Sequence, residues 1–194
     1  MLSQLLFQIL DWVFGFFTLA LLARVLMQWA RAPFRNPVGQ FVMAVTDWAV
    51  IPARRFVPGR FAIDLPSLLL AWLAQGLLQG LLLGWSYGSL EAFAPGGFVS
   101  VLLLALLAVL RLFLYLLTGV VLVSALLSWV NPLAPLAPLL TQLSRPFLAP
   151  LQRFIPPLGG IDLSPMVLLL ILQVLQTVLV SAQQALFPAL LWLR

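Results

Sequence analysis

The chain has 194 residues, of which 63% are hydrophobic and only 8% are charged, and its mean hydropathy is +1.14. Soluble domains carry about 25% charged residues, so this composition excludes a soluble fold and indicates a multi-pass membrane protein. Histidine, cysteine and lysine are all absent. Their absence excludes disulfides, thiolate nucleophiles and the usual zinc and haem sites.

The net charge of +5 comes from ten arginines and five carboxylates. No basic run is interleaved with aromatic residues as in a nucleic-acid module. We therefore expect contact with anionic lipid headgroups and no binding of nucleic acid. With no nucleophile–base pair and no set of metal ligands, the sequence predicts a protein that is not an enzyme and holds no metal or cofactor.

Four apolar stretches are long enough to cross a bilayer, over residues of about 2–29, 65–87, 99–130 and 165–187. They are near-continuous Leu, Val and Ala runs, which predict helices rather than the alternating strands of a barrel. The third stretch would be about 48 Å long as one helix. Strong tilt, a break, or a separate interfacial segment over 99–110 would each account for that length.

Arginines are concentrated in the two long connections, residues 30–65 and 131–164. The positive-inside rule then places both connections in the cytoplasm and both termini outside. Within them, residues 36–51 and 138–150 predict short interfacial helices. The arginines of the first connection form a basic surface that either binds anionic lipid or only sets the topology: Arg31, Arg35, Arg54, Arg55 and Arg60.

The chain reads as two copies of one helix–loop–helix unit, residues 1–97 and 98–194. Residues 21–29 align with residues 121–129 at an offset of 100, and residues 52–65 align with residues 150–163 at an offset of 98. The motif positions are Asn36, Pro37, Pro52, Arg55, Asp64, Asn131, Pro132, Pro150, Arg153, Asp162 and Pro165. Two helices separate the copies, so the repeat is parallel, and the predicted fold is an all-α transmembrane four-helix bundle.

The second copy, Asn131-Pro132 followed by P-x-x-R-F-I-P-P-x-G-G-I-D-L-S-P from Pro150 to Pro165, resembles the YggT family of bacterial membrane proteins, which has relatives in cyanobacteria and plastids. The first copy departs from the pattern, with Gly59 for the second proline and Phe61-Ala62 for the two glycines. The resemblance implies roles in osmotic-stress tolerance and ion balance. For photosynthetic relatives it implies assembly of membrane complexes or organisation of nucleoids. It implies no catalytic residue.

Two sets of residues in the spans predict contacts between helices. Glycines at i+4 spacing suggest a helix-packing face, toward either the same chain or another protomer: Gly76, Gly80, Gly84 and Gly88. Four amides need partners in hydrocarbon, so we expect them to face the bundle interior or to line a polar path: Gln75, Gln79, Gln173 and Gln176.

Charged residues near the span ends suggest ion pairs. Asp11 and Arg111 precede Trp29 and Trp129 by equal distances, which predicts a pair between the first and third spans unless each snorkels to the headgroups. Asp64 and Asp162 stand where a carboxylate caps a helix, with a proton relay as the alternative. An ion pair from Arg55 to Asp64, and from Arg153 to Asp162, would close each loop.

Two functions remain from the sequence. The first is support of osmotic-stress tolerance and ion homeostasis. The second is a membrane scaffold or assembly factor that acts through the cytoplasmic loops and the glycine face of residues 76–88. The expected partners are the lipid bilayer and either a further copy of the chain or another membrane protein.

Overall fold

The computed structural model describes residues 2–57, 64–87, 95–155 and 162–191, and its elements in these ranges are all α-helices. In chain order they are α1 (Leu2–Trp29), α2 (Pro37–Phe56), α3 (Leu65–Tyr87), α4 (Pro95–Val130), α5 (Ala137–Phe154) and α6 (Ser164–Leu191). Four of them, α1, α3, α4 and α6, are long and apolar enough to cross a membrane. The shorter α2 and α5 each follow one long helix and precede another.

Helix α4 is a single helix of 36 residues, about 54 Å long. The predicted alternatives of a break or a separate segment over 99–110 are therefore wrong. Residues 99–110 contain neither proline nor glycine, so nothing there interrupts the backbone ladder. A helix this long exceeds the hydrocarbon thickness of about 30 Å, so α4 must tilt or project beyond it.

The chain turns sharply between α1 and α2. Arg31 has φ of 53°, and the Ala32 N–H donates to the Met27 carbonyl at 2.8 Å while the Arg31 N–H donates to Gln28 at 3.1 Å. This is the Schellman arrangement, with arginine at the left-handed position that glycine usually takes. Helix α2 then begins at Pro37, and the Asn36 side chain accepts the Gly39 N–H at 2.8 Å.

The second Asn-Pro pair, Asn131-Pro132, lies at the end of a helix and not at the start of one. Asn131 follows the last residue of α4, and its N–H donates to the Leu127 carbonyl at 2.9 Å. Helix α5 begins six residues later, at Ala137, without a side-chain cap. The same dipeptide therefore starts the amphipathic helix in the first half of the chain and ends the long helix in the second.

Helix α4 is central to the packing, because it lies against α1, α3, α5 and α6. Helix α2 packs on α1 and α3, and α5 packs on α4 and α6. Helix α5 also reaches the end of α1, where Gln142 donates to the Ala30 and Arg31 carbonyls at 3.3 and 3.0 Å. This contact joins the two halves of the chain at the end of α1, beyond the apolar part of that helix.

Substitution of Gly39, near the start of α2, tests the close contact between α2 and the preceding turn. A Cβ at Gly39 would lie 2.6 Å from the Phe34 carbonyl oxygen, whereas one at Gly119 would meet nothing within 4 Å. We expect Gly39→Ala to lower the free energy of unfolding by about 1–3 kcal/mol, because backbone must move. Gly119→Ala, inside α4, should raise it by up to about 1 kcal/mol. Thermal unfolding in one detergent measures both; equal midpoints would contradict the contact.

Candidate functional site: a buried ion cluster between three helices

A neutral ion cluster joins α1, α2 and the start of α3. Its charged members are two arginines and two aspartates, with two hydroxyl groups bonded to them: Arg24, Asp47, Arg54, Asp64, Thr46 and Ser67. Arg24 lies inside the apolar α1 with a side chain only 7% exposed. A buried guanidinium requires a carboxylate partner, and here it has two.

Arg24 binds three groups on two other elements. Its Nη1 donates to Thr46 Oγ1 at 2.8 Å and to Asp47 Oδ1 at 2.5 Å, and its Nε lies 3.3 Å from Asp64 Oδ2. Thr46 in turn donates to the Val42 carbonyl within α2 at 2.7 Å. One side chain therefore fixes α2 and the start of α3 against α1.

Asp64 is the most deeply buried charged member, with a side chain 1% exposed. Its Oδ2 accepts hydrogen bonds from Arg54 at 3.1 Å and from Ser67 at 2.9 Å, while its Oδ1 has no hydrogen-bond partner. Its backbone carbonyl accepts the Leu68 N–H, so the residue stands at the N-cap of α3. The predicted loop-closing pair with Arg55 is wrong, because Arg54, one residue earlier, makes that contact and Arg55 is exposed.

At the positions that the predicted repeat makes equivalent, the second half of the chain has neutral residues in place of both cluster arginines and keeps a carboxylate, Asp162, in place of Asp64. Ser124 and Ser144 oxygens lie 3.4 Å apart where the first half has Arg24 and Thr46. Gln152, not the predicted Arg153, donates to Asp162 at 2.8 Å. Asp162 also accepts the Ser164 N–H at 2.9 Å at the start of α6. Partial burial raises the pKa of Asp162, but hydrogen bonds from Ser164 and Gln152 outweigh it and lower that pKa below its ordinary value.

Two of the four predicted amides tie spans together. Gln75 of α3 donates to Thr18 of α1 at 2.9 Å, and both side chains are buried. Gln176 of α6 donates to Thr118 of α4 at 2.8 Å. Each amide thus meets a threonine on the long helix of its own half, which satisfies polar groups that lipid cannot.

The other two amides are placed differently. Gln79 is half-buried, and Gln173 is exposed on the outer surface of α6. The expectation that Gln173 faces the bundle interior is therefore wrong within this chain. The buried face of α6 is formed by Leu168, Leu172 and Leu179, and Gln173 lies outside that face.

The glycine face of α3 points toward α4 of the same chain. A Cβ at Gly76 would lie 3.8 Å from the Ala105 Cβ, and one at Gly80 would lie 3.9 Å from Val101. Both are ordinary contact distances, so alanine would fit and close backbone approach is not required at these two positions. Gly84 is half-buried, and Gly88 lies outside the described residues.

The predicted pair of Asp11 and Arg111 does not form. Asp11 is exposed, and Arg111 is half-buried with an Nε that has no hydrogen-bond partner. Neither residue takes part in the three ion pairs found among the described residues. The reason is register: Leu112 and Phe113, which follow Arg111, pack against the buried cluster that contains Leu21 and Leu22, ten and eleven residues after Asp11 on α1.

The two amphipathic helices expose different outer faces. Helix α2 presents Phe41, Trp48 and Ile51, which are 54%, 71% and 56% exposed. The Trp48 indole N–H donates to its own helix, to the Val45 carbonyl at 2.7 Å. Helix α5 exposes polar residues such as Thr141 and Arg145 along its length, and its exposed aromatic residue, Phe154, stands at its last position. The outer face of α2 suits hydrocarbon and that of α5 suits water.

Three of the predicted basic residues are exposed and belong to no ion pair among the described residues: Arg31, Arg35 and Arg55. Arg54 is 45% exposed and is bound to Asp64. Arg60 lies outside the described residues. The basic surface therefore extends from the turn after α1 to the end of α2.

The sequence prediction missed Arg24 and Asp47 as partners. A signal was present, because an arginine inside an apolar span predicts an acidic partner, and Asp47 and Asp64 were the carboxylates of the following loop. Thr18 and Thr118 were also missed. Polar residues at equivalent positions of two spans are the signal that would have indicated them.

The CCB3/YggT family model matches residues 3–86 and 103–183. The chain belongs to the CCB3/YggT family. The "Uncharacterized protein YggT" of Escherichia coli K12 is 36% identical over 179 residues, 91% of this chain and 90% of the relative. The "Uncharacterized protein PA0392" of Pseudomonas aeruginosa is 36% identical over 176 residues, 89% and 87% of the two chains. No solved structure matches this CCB3/YggT chain.

Removing Arg24 tests the ion cluster. Arg24→Leu leaves two carboxylates without their shared cation, and we expect it to lower the free energy of unfolding by about 3–5 kcal/mol. Adding Asp64→Asn to Arg24→Leu should restore part of the loss, because it removes the unpaired buried charge. The control is Arg55→Leu, which removes an exposed arginine that is adjacent to Arg54 but belongs to no ion pair among the described residues, and it should change little. Chemical unfolding in mixed micelles measures all three; the cluster would be unimportant if Arg24→Leu matched the control.

Proposed function

We propose that this family member is a non-enzymatic membrane scaffold that supports osmotic-stress tolerance and ion homeostasis. It would hold α2 and α5 at the inner surface of a bacterial inner membrane, with both long loops cytoplasmic and both termini outside. The observation that carries the scaffold role is the use of polar groups between the spans. Gln75 and Gln176 are bonded to threonines of neighbouring helices, which leaves them holding the bundle together rather than lining a path.

The cavities between helices support the same proposal. A groove of about 590 Å³ between α1, α2 and α3 is lined by apolar residues, among them Phe17, Trp48 and Leu73. A smaller cavity of about 100 Å³ between α1, α4 and α5 is also lined by apolar residues, among them Met27 and Leu143. An ion would lose its hydration in either place without gaining ligands.

The distribution of carboxylates supports a non-enzymatic role. Asp47 and Asp64 are both paired with arginine in the ion cluster, and Asp162 accepts two hydrogen bonds at the start of α6. These groups are committed to joining helices. The osmotic part of the proposal rests on the family resemblance, and the scaffold supplies a physical means, since it holds two surface helices at a fixed place.

A conduit formed between several copies is the second candidate function. It is favoured by one observation, the exposure of Gln173 on the outer surface of α6. Packed copies could bring such amides around a shared path, which a single chain does not form. The scaffold and the conduit differ in whether ions cross a sealed membrane.

Ion flux separates the two functions. We expect purified protein in sealed liposomes to give no more potassium flux than empty liposomes, with or without an osmotic downshift, because its interior polar groups are used between helices. Circular dichroism and protease protection would show that the inserted protein is folded. Flux above the empty liposomes that is lost in Gln173→Leu, but kept in the lipid-facing control Val174→Leu, would establish the conduit instead.

The sidedness can be tested because the chain contains no cysteine. Gln4 at the start of α1 and Gln40 in α2 are both exposed, so Gln4→Cys and Gln40→Cys are matched probes. In spheroplasts we expect a membrane-impermeant maleimide to label Gln4→Cys, and to label Gln40→Cys only after lysis, since arginine-rich loops stay inside. The reverse pattern would overturn the orientation.

A further inference from the structure

The outer surface of α6 carries a polar strip. Its members are spaced by four, four and three residues, and all are exposed: Gln173, Thr177, Ser181 and Gln184. At 100° per residue they fall within about 80° of the helix circumference. Polar residues in four consecutive turns of a spanning helix therefore lie on one face, which this chain leaves uncovered among its described residues.

An apolar strip lies beside it. Ile171, Val174 and Val178 are 41%, 61% and 59% exposed, and they occupy the neighbouring part of the circumference. These β-branched residues suit contact with lipid tails. The exposed surface of α6 is thus divided into a part built for lipid and a part that lipid cannot satisfy.

In a monomer, exposure of Gln173 to lipid is energetically unfavourable. It lies near the middle of the 22-residue apolar stretch Ser164–Ala185. The Thr177 hydroxyl donates to the Gln173 backbone carbonyl at 3.0 Å and is satisfied within the helix. The Gln173 amide has no hydrogen bond among the described residues. An amide without a partner in hydrocarbon costs several kcal/mol, so another protein surface must cover it.

We propose that this surface is a second copy of the chain, and that the polar strip of α6 is the interface of a homodimer. An amide is both donor and acceptor, so two Gln173 side chains related by a twofold axis satisfy each other at the same depth. Twofold interfaces bring the same patch of both subunits together. The strip contains no charge, so its self-pairing meets no repulsion. The interface goes beyond the proposed scaffold function and stands independently of it.

Cysteine cross-linking tests this interface in native membranes. The cysteine-free chain makes each introduced thiol unique. We expect Thr177→Cys and Ser181→Cys to form disulfide dimers under mild oxidation, because a disulfide needs Cα atoms within about 7 Å. The matched controls are Ile171→Cys and Val178→Cys, which lie about 60° or more beyond the polar strip around the helix, and they should remain monomeric. Adding Gln173→Leu to Ser181→Cys should reduce the dimer by roughly three- to tenfold, as expected for loss of an interhelical hydrogen bond in lipid.

Three results would overturn the proposal. One is cross-linking of the control positions as strongly as the strip positions, and another is cross-linking of neither set. The third is an adduct whose mass is not twice that of the chain, which would show that another membrane protein covers the strip. Gln173→Leu changes an exposed residue, so its thermal unfolding as a monomer in detergent should match the parent chain; a drop there would mean that the amide acts within the fold.

Discussion

A guanidinium inside an apolar helix must be neutralised, and much of the first half of this protein follows from that requirement. Arg24 sits in α1 with its side chain buried. It draws Asp47 of α2 and Asp64 before α3 to one point. Because the three elements meet at one side chain, the position of α2 on the bundle is fixed by electrostatics as well as by apolar packing. The cluster is neutral overall, which lets it persist at low dielectric.

The second half lacks both arginines of the ion cluster and keeps one carboxylate, Asp162. Serines stand where the first half has Arg24 and Thr46, and a glutamine stands in place of Arg54. The neutral contact between Ser124 and Ser144 is weaker than the charge-assisted bonds of Arg24, whereas Gln152 still donates to a carboxylate, Asp162. Helix α5 compensates through a contact that α2 lacks, since Gln142 binds the carbonyls at the end of α1. The two amphipathic helices are therefore anchored by different forces.

The sequence predicted the spans well, because long apolar runs have one physical solution in a bilayer. It also predicted that polar residues within them need partners, and Gln75 and Gln176 have them. The prediction failed for contacts that depend on the axial register of one helix against another. Asp11 and Arg111 were matched by counting from Trp29 and Trp129, but packing displaces α4 along α1. Likewise Gln173 and Gln176 differ by one turn, and only the packed structure shows which faces α4. Register is a tertiary property that spacing alone cannot supply.

The apolar outer face of α2 has a consequence for the bilayer on the proposed placement. A 20-residue helix is about 30 Å long and 10 Å wide, so embedding it takes up about 300 Å² in the inner leaflet. Helix α5, with its polar outer face, displaces less lipid. The protein thus occupies more area in one leaflet than its four spans require. Because lateral tension opposes any loss of membrane area, swelling of the cell would oppose release of α2 from the leaflet, and the Arg24 contacts to Thr46 and Asp47 oppose it as well.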